Sequence, residues 1–351
     1  MSPDGNPNIA ILADDLTSAA DGAGPFVSRG LSASVGRRAA PFGHAQVLAV
    51  DVASRSMGEE NAARQTAAAA AELCGTGVLY KTVDSTLRGH VRAEICAALR
   101  GSGRQRLVFA PAFPEMRRTT EGGVQLVDGV PVDRSPYGRD PVHPARTANL
   151  ADLIPAEARD TILLDAQSQD ELDRKVAEID QPEEILWVGS PGMAHALAKR
   201  FAPESRRPTM PVRCQGRLLV VVGSANGVSH RQADAVRGRR DITVLRAPVG
   251  RGDNPARVLA ALTGNAALAL GEGTFGALLA TGGDTMNAIL DSLEIGQFDL
   301  LGEIEPGFPI GLAQLAGRKL LLGMKAGGFG NDDTLASAAD RLIGQEEELE
   351  L

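Results

Sequence analysis

Residues 9–21 read IAILADDLTSAAD, and this stretch sets the pattern for the rest of the chain. Five apolar residues form a short run that ends abruptly at Asp14 and Asp15. A short, continuous apolar run with polar residues after it is typical of a strand buried on both faces of a parallel sheet. Thr17 or Ser18 could then cap a helix, because hydroxyl oxygens accept hydrogen bonds from free backbone amides. The stretch therefore predicts a strand, a polar loop and a helix in direct succession.

The same alternation of apolar runs and helix-period stretches continues along the chain. Strands are predicted over residues 9–13, 45–50, 77–81, 107–110, 161–164, 185–188, 218–222, 242–245, 278–281 and 319–324. Helices are predicted over residues 61–73, 91–99, 169–179, 231–237, 255–262, 285–293 and 334–343. Such alternation favours mainly parallel sheets flanked by helices. One segment differs, because the Asp-Gly pair within GGVQLVDGVPV (residues 122–132) predicts a β-hairpin.

Length and linker composition divide the chain into two parts. A chain of 351 residues is long enough for two domains of roughly 150 residues each. Residues 203–217 are rich in proline and arginine and show little apolar periodicity. We therefore predict an N-terminal domain over residues 1–205 and a C-terminal domain over residues 206–351. The predicted fold class is α/β, with a mainly parallel sheet in each domain and the active site in the cleft between them.

Composition excludes several classes of function. The formal net charge is −8 and aromatic residues make up 3%, whereas nucleic-acid binding needs clustered cations or aromatic platforms. No apolar run approaches the roughly 20 residues of a membrane helix. The 5 histidines lack metal-ligand spacing, and the 3 cysteines form no CxxC pair. We therefore expect no nucleic-acid or membrane partner, no metal site built by the protein alone, and a cytoplasmic protein with reduced thiols.

Asp14 and Asp15 lie where ligands bind in open α/β sheets, at the carboxyl end of a strand. Adjacent carboxylates there could hold substrate hydroxyls or accept a proton from one of them. The alternative is structural, because an acidic residue at a helix start caps free amides and favours the positive end of the helix dipole. We favour a functional role, since one aspartate would suffice for a cap.

The segment KTVDSTLRGH, residues 81–90, follows another predicted strand. It gathers Lys81, Asp84, Ser85 and Arg88 in one loop. Arginine binds a planar carboxylate through two parallel hydrogen bonds, and lysine supplies a point charge. The loop therefore predicts a compact basic pocket for an acidic small molecule, with a structural ion pair between Asp84 and Arg88 as the alternative. His90 is expected to start a helix rather than to act in catalysis.

Three glycine-rich loops follow predicted strands in the second half of the chain. They read GSANG from Gly223, TGGDT from Thr281 and KAGGFG from Lys325. Backbone amides of such loops, together with helix N-termini, cradle phosphate groups. Three of them in one domain predict a nucleotide site, in which Asp284 could act through a hydrated Mg²⁺ or cap its own helix.

Two familiar nucleotide motifs do not fit. The string GEGTFG at residues 271–276 matches GxGxxG, but the residues after it predict a strand instead of the required helix. The pattern GxxxxGK[ST] of P-loop kinases does not occur in the sequence. We therefore predict neither a dinucleotide-binding domain nor a P-loop kinase.

Seven short segments resemble the four-carbon acid sugar kinase family. In the family's order they are ADDLTSAAD, KTVDSTLRGH, PAFPEMRRTTEGG, GSANGVSHRQ, TGGDTMNAI, EIEPGFP and KAGGFGNDD, and they span roughly residues 8 to 335. The resemblance implies an N-terminal sugar-acid-binding domain and a C-terminal nucleotide-binding domain. It also implies transfer of the ATP γ-phosphoryl group to the terminal hydroxyl of threonate, erythronate or 3-oxo-tetronate.

The resemblance assigns residues to two sites. Those implied to face the sugar acid are Asp14, Asp15, Arg55, Lys81, Asp84, Ser85 and Arg88. Those implied to contact ATP, which carries Mg²⁺ with it, are Ser224, Gly282, Gly283, Asp284, Thr285 and Gly327. We expect Lys81 and Arg88 to hold the substrate carboxylate, and Asp15, or else Asp84, to accept the proton of the attacking hydroxyl. Domain closure would exclude water, and an exposed apolar helix face could support a homodimer.

Two other functions compete with a kinase. A non-kinase sugar-acid enzyme, such as an aldolase or a dehydrogenase, is disfavoured because no residue marks a Schiff-base lysine and the dinucleotide motif fails in context. A non-catalytic sugar-acid sensor with two α/β lobes would not need three phosphate-binding loops in one lobe.

Overall fold

A computed structural model describes residues 9–140, 143–202, 213–224, 226–248, 254–305 and 307–343 of the chain. The chain divides into two compact units, Met1–Pro208 and Thr209–Leu351. The predicted boundary between residues 205 and 206 lies outside the described residues.

The first unit is built on a parallel sheet. Its strands are β1 (Ile9–Ala13), β2 (Ala33–Arg37), β3 (Val47–Asp51), β4 (Val78–Thr82), β5 (Arg106–Ala110), β9 (Asp160–Leu163) and β10 (Ile185–Gly189). Between β5 and β9 the chain forms a separate small sheet of β6 (Arg118–Glu121), β7 (Val124–Val127) and β8 (Val130–Pro131). The spatial order is β2-β3-β1-β4-β10-β5-β9, and every neighbouring pair is parallel. The helices are α1 (Leu16–Ser28), α2 (Glu59–Glu72), α3 (Val91–Ser102), α4 (Gln169–Ala177) and α5 (Pro191–Phe201). All carboxyl ends of the parallel strands therefore lie along one edge.

The centre of this sheet is fully enclosed. β1, β4 and β10 are buried along their whole length, which explains why β1 and β10 are continuous apolar runs and why β4 is apolar as far as Tyr80. α1 lies close to the sheet, because a Cβ on Gly22 would come within 3.1 Å of both Ile11 and Thr82 side chains. The loop that begins at Asp14 therefore follows directly after a closely packed, buried strand.

The predicted hairpin at residues 122–132 is confirmed. β7 and β8 pair in antiparallel fashion through Val127 and Val130. The two turn residues, Asp128 and Gly129, have φ angles of 51° and 78°, and two-residue hairpin turns of type I′ need positive φ at both positions. β6 extends this small sheet, so that the chain between β5 and β9 makes an excursion from the main sheet.

The second unit combines parallel and antiparallel strands. Its strands are β11 (Arg217–Val222), β12 (Ile242–Arg246), β13 (Phe275–Thr281), β14 (Gln297–Glu305), β15 (Phe308–Leu315) and β16 (Arg318–Lys325). β12, β11, β13 and β16 are parallel neighbours in that order, and β15 and β14 continue the sheet in antiparallel fashion. The helices are α6 (Gly227–Ala235), α7 (Pro255–Gly271), α8 (Gly283–Ser292) and α9 (Thr334–Ile343).

The α/β class and the mainly parallel sheets agree with the prediction. The strands and helices missed from the sequence are β2, β6, β14, β15 and α5, and α7 extends to Gly271 instead of ending at residue 262. The strand predicted at the GxGxxG match of residues 271–276 is confirmed, since β13 begins at Phe275. Among the described residues, no helix is both long and apolar enough to cross a membrane.

Candidate active site

Asp14, Asp15 and Arg55 form one network at the end of β1. Arg55 Nε donates to Asp14 Oδ2 at 2.8 Å, and Arg55 Nη1 lies 2.5 Å from Asp15 Oδ2. The backbone amide of Arg55 also donates to the carbonyl of Asp14 at 3.1 Å. Arg55 belongs to a short 3-10 turn after β3, the parallel neighbour of β1. Adjacent strands thus bring together residues that lie far apart in the sequence.

Asp15 also begins α1. Its Oδ1 accepts a hydrogen bond from the amide of Ser18 at 2.7 Å, so Asp15 is the N-cap residue, and the expectation that Thr17 or Ser18 caps the helix is wrong. The other oxygen, Oδ2, faces Arg55. The side chain of Asp15 is 25% exposed and that of Asp14 only 5%, so a ligand reaches Asp15 more easily.

The two carboxyl groups differ in acidity. Burial would raise the pKa of Asp14, but the charges of Arg55 and Lys81 outweigh burial and lower it below its ordinary value. Burial also acts on Asp15, and together with the negative charge of Asp14 it raises the pKa of Asp15 despite Arg55. A carboxylate of raised pKa is the stronger base, so Asp15 is better suited than Asp14 to accept a proton.

The surroundings of Lys81 differ from those that the sequence predicts. Its side chain is 1% exposed, and Nζ lies 2.7 Å from Glu94 Oε2 in α3. Nζ also donates to the carbonyl of Thr82 at 2.7 Å. A buried ammonium needs such a partner to offset the loss of water, and this one is enclosed by protein. Lys81 thus connects β4 to α3, and these contacts give no support to the expectation that it holds the substrate carboxylate, which stays a prediction.

The loop after β4 turns tightly around Asp84. Asp84 Oδ1 accepts from the amide of Thr86 at 3.1 Å, and Oδ2 accepts from the Thr86 hydroxyl at 2.7 Å. Arg88 Nε lies 2.5 Å from Asp84 Oδ2, and Arg88 Nη1 lies 3.4 Å from Asp140 Oδ2. The structural ion pair between Asp84 and Arg88 is thus present. The Asp84 side chain is 11% exposed and that of Asp15 is 25% exposed, so Asp84 is less accessible to a substrate hydroxyl and is the weaker candidate for a general base.

His90 occupies the N-cap position of α3, as expected from the sequence. Its side chain makes no capping hydrogen bond there. The ring Nε2 instead lies 2.8 Å from the carbonyl of Met57. His90 therefore connects the start of α3 to the segment after Arg55.

The small hairpin sheet adds residues that the sequence prediction did not assign. Arg118 in β6 donates through Nη1 to Ser85 Oγ at 2.9 Å and through Nη2 to the Tyr137 hydroxyl at 3.4 Å. Gln125 in β7 is fully buried, and its amide donates to the carbonyl of Ser85 at 2.8 Å. The sequence signal was the segment PAFPEMRRTTEGG, but spacing alone does not connect it to residues 81–90.

Asp51 is a third carboxylate at this edge, at the end of β3. It is 1% exposed, and its Oδ1 accepts from the amide of Ala53 at 2.7 Å. Burial raises the pKa of Asp51 to about 7, and the negative charge of Asp15 adds to this effect. The sequence prediction missed it, although VLAVD ends in an aspartate just as IAILAD does.

We expect Asp51→Asn to stabilise the protein more at pH 8 than at pH 5. Folding raises the pKa of Asp51 from 3.8 to about 7, so its protonation stabilises the folded state at low pH, and this stability is lost as pH rises through about 7. Asparagine does not ionise. The difference between variant and wild-type free energies of unfolding should therefore grow by roughly 2–3 kcal/mol from pH 5 to pH 8.

Urea unfolding at the two pH values measures this difference. The control is Gln105→Ala, which changes an exposed side chain that does not titrate, and its difference from wild type should be the same at both pH values. A pH-independent difference for Asp51→Asn would contradict the raised pKa.

In the second unit, the three glycine-rich loops contact one another. A Cβ on Gly327 would collide with the Ser224 hydroxyl, and a Cβ on Gly223 would collide with the Thr285 hydroxyl. Side chains have no room at these approaches, so the glycine backbones come close to the neighbouring loops there. The loops after β11, β13 and β16 therefore form one cluster, which contains the residues predicted to contact ATP.

α8 begins at Gly283 without a side-chain cap. Its N-cap residue is Gly282, whose φ of 96° disfavours other residues, and Asp284 lies exposed in the first turn. Asp284 is therefore not the cap. Thr281 Oγ1 is buried beside this turn and has no partner among the described residues. The uncapped amides, the helix dipole and this free hydroxyl fit a phosphate group.

Lys325 fixes the last loop from inside. It is 2% exposed, and Nζ donates to the carbonyls of Ala326 and Phe329, both at 2.9 Å. The Ser229 hydroxyl donates to the carbonyl of Gly327. Burial lowers the pKa of Lys325 to about 8. Because these bonds occupy the carbonyl groups, the polar groups that the loop can offer a ligand are mainly its amides, which suit an anion.

No set of three or more His, Cys, Asp or Glu side chains in the described part of the chain is arranged to hold a metal ion. The two units thus offer different chemistry. The first carries carboxylates and arginines around strand ends, and the second carries amide-lined glycine loops. These features define an α/β protein whose first unit has side chains suited to a polar small molecule and whose second unit has loops suited to an anion.

Comparison with known proteins assigns the family. A sugar-binding N-terminal domain model matches residues 9–162, and a nucleotide-binding C-terminal domain model matches residues 245–335. A D-threonate kinase from Cupriavidus necator is 32% identical over 403 aligned positions, covering 93% of this chain and 95% of the relative. Other relatives are named D-erythronate kinase and 3-oxo-tetronate kinase. The chain therefore belongs to the four-carbon acid sugar kinase family, and it is a carbohydrate kinase.

Solved structures support the fold. A Salmonella typhimurium protein described as a putative tRNA synthase has a TM-score of 0.78 at 20% identity, covering 95% of this chain and 99% of that one. At this identity the likeness concerns the fold alone. A Bordetella bronchiseptica protein, solved as a domain-swapped dimer with bound citrate, has a TM-score of 0.50 at 30% identity over 96% of this chain and 98% of that one. Membership of a kinase family sets aside the sensor and the non-kinase enzyme as alternatives.

Proposed function

We propose that the protein transfers the γ-phosphoryl group of ATP to the terminal (4-) hydroxyl of a four-carbon sugar acid such as threonate, erythronate or 3-oxo-tetronate. The observation that carries the proposal is the network of Asp14, Asp15 and Arg55, which places a carboxylate of raised pKa beside a cation at a strand end. Relatives named as kinases of such acids match along most of the chain, which supports this substrate class.

Asp15 is the proposed general base. Its Oδ2 is not used by the cap of α1 and would accept the proton of the attacking hydroxyl. Arg55 holds both carboxylates in place, so that the base is positioned before substrate arrives. The other residues proposed to face the sugar acid are Asp14, Arg55, Asp84, Ser85 and Arg88.

The glycine-loop cluster is the proposed nucleotide site. Backbone amides of the loops would bind the phosphate oxygens, as the absence of room for side chains suggests. A Mg²⁺ ion carried by the nucleotide would neutralise developing charge on the transferred group. The residues proposed to contact the nucleotide are Ser224, Gly282, Gly283, Asp284, Thr285 and Gly327.

Two further properties belong to the proposal. The relative with bound citrate supports a preference for carboxylate ligands, and its domain-swapped dimer supports a homodimer here. An enzyme that consumes ATP fits a cytoplasmic location.

The test is an ADP-release assay with Mg·ATP and a panel of stereodefined four-carbon sugar acids. We expect one acid to stimulate ADP release well above the rest and to yield a product that ³¹P NMR identifies as phosphorylated at the terminal hydroxyl. If no acid in the panel stimulates ADP release, the proposed function is wrong. Phosphorylation at another position would contradict the assignment of the terminal hydroxyl.

A further inference from the structure

The cations around the sugar-acid residues are not equivalent. Arg55 is paired with Asp14 and Asp15. Two other cations there are likewise paired with carboxylates, Lys81 with Glu94 and Arg88 with Asp84 and Asp140. A cation already paired with protein carboxylates has less attraction left for an anionic substrate.

Arg118 differs from these three cations. Among the described residues its guanidinium has no carboxylate within ion-pair distance, and its contacts are the neutral hydroxyls of Ser85 and Tyr137. Its Nε is buried and lacks a hydrogen-bond partner. Arg118 is half-buried, and a buried donor without a partner costs free energy that an anion bound at the guanidinium would recover.

The surroundings hold Arg118 in a fixed position beside the substrate loop. Its guanidinium carbon lies 5.8 Å from the centre of the Tyr137 ring, and the guanidinium carbon of Arg88 lies 5.2 Å from the same ring centre. Gln125 connects the hairpin to the loop, because its amide donates to the carbonyls of Ser85 and Pro111 while its oxygen accepts from the Thr120 hydroxyl. A guanidinium held in this way loses little entropy when it binds a ligand.

We propose that Arg118 binds the carboxylate of the sugar acid. The planar guanidinium matches a carboxylate in geometry and charge, and Ser85 and Tyr137 act as its positioning residues. This inference rests on the proposed function, and it transfers to Arg118 the role that the sequence had suggested for Lys81 and Arg88. Arg118 thereby makes the site select acids over the corresponding neutral polyols.

The experiment compares Arg118→Met with wild type, using calorimetry and steady-state kinetics. Two ligands are used, the preferred four-carbon acid and the alditol in which a hydroxymethyl group replaces the carboxylate. We expect Arg118→Met to weaken acid binding by about 10- to 100-fold, as the loss of a charged hydrogen-bonded partner implies, and to leave alditol binding and the KM for ATP unchanged.

Arg117→Met is the matched control. Arg117 is the adjacent residue in the chain, its side chain is 77% exposed, and it pairs with Asp128 on the surface. It should leave every binding constant unchanged. Arg118→Lys keeps the positive charge but not the planar fork, so part of the acid affinity should return, and thermal unfolding of each variant verifies that the fold is retained.

The possible outcomes separate the two proposals. If Arg118→Met still prefers the acid over the alditol by the wild-type factor, the role of Arg118 is refuted, whether or not wild type releases ADP. If Arg88→Met removes that preference and Arg118→Met does not, the carboxylate belongs to Arg88. If wild type binds the acid through Arg118 but releases no ADP with it, the proposed function fails for that acid and the Arg118 inference stands.

Discussion

The Asp15→Asn variant is expected to lower kcat by about 10²- to 10⁴-fold, the usual contribution of a general base. Asparagine is as good an N-cap residue as aspartate, so α1 should still begin at Leu16 and the protein should stay folded. Substrate binding should change much less than turnover. The KM for ATP should be unchanged, because the nucleotide loops belong to the second unit.

Steady-state kinetics across pH provide the measurement. In wild type, kcat/KM for the acid should rise with pH as Asp15 loses its proton, and the raised pKa of Asp15 moves this rise to higher pH than an ordinary carboxyl would give. In the Asp15→Asn variant, this rise of kcat/KM with pH should be absent. Asp84→Asn provides the comparison, and if it abolishes turnover while Asp15→Asn retains it, the base is Asp84.

The Gly327→Ala variant is expected to weaken ATP binding by about 5- to 150-fold, which corresponds to the roughly 1–3 kcal/mol of a typical overpacked site. The added Cβ would overlap the Ser224 hydroxyl and lie 2.8 Å from Ser224 Cβ. Since Ser224 and Gly327 come from different loops, relieving the overlap pushes the loops apart. Calorimetry with a non-hydrolysable ATP analogue should record the loss, and binding of the sugar acid should stay at the wild-type level.

Gly264→Ala is the control for this substitution. Gly264 lies inside α7, and an added Cβ would meet nothing within 4 Å. Alanine in a helix interior is more favourable than glycine by roughly 0.5–1 kcal/mol, so this control should bind ATP normally and be slightly more stable. If Gly327→Ala binds the analogue as well as wild type does, the proposed contact at Gly327 is wrong.

Strands buried on both faces were the easiest elements to predict from the sequence. β1, β4, β5 and β10 are short apolar runs, and their positions were found within a few residues. β14 and β15 were missed because each mixes polar and apolar residues and includes glycine or proline, so neither gives a continuous run. β2, with the sequence ASVGR, is short and only partly apolar.

The candidate site was predictable where residues follow directly after a strand, as Asp14, Asp15 and the glycine loops do. Contacts set by tertiary packing were not predictable. Lys81 was expected to face the substrate, but Glu94, one turn into α3, lies at its ammonium. Arg118 reaches Ser85 only because the hairpin sheet folds back over the loop after β4, and no local periodicity reveals such a return.

The small sheet of β6–β8 places the residue proposed to bind the substrate carboxylate on a different sheet from the proposed general base. Asp14 and Asp15 follow a strand of the parallel sheet, whereas Arg118 and Gln125 belong to a separate three-stranded sheet that packs against the same core through Val124 and Val127. If Arg118 binds the carboxylate, substitutions at its position on this small sheet change which ligand is accepted without altering the hydrogen bonding of the parallel strands. Exchange of β6–β8 between relatives that prefer different acids would show whether substrate choice moves with this small sheet.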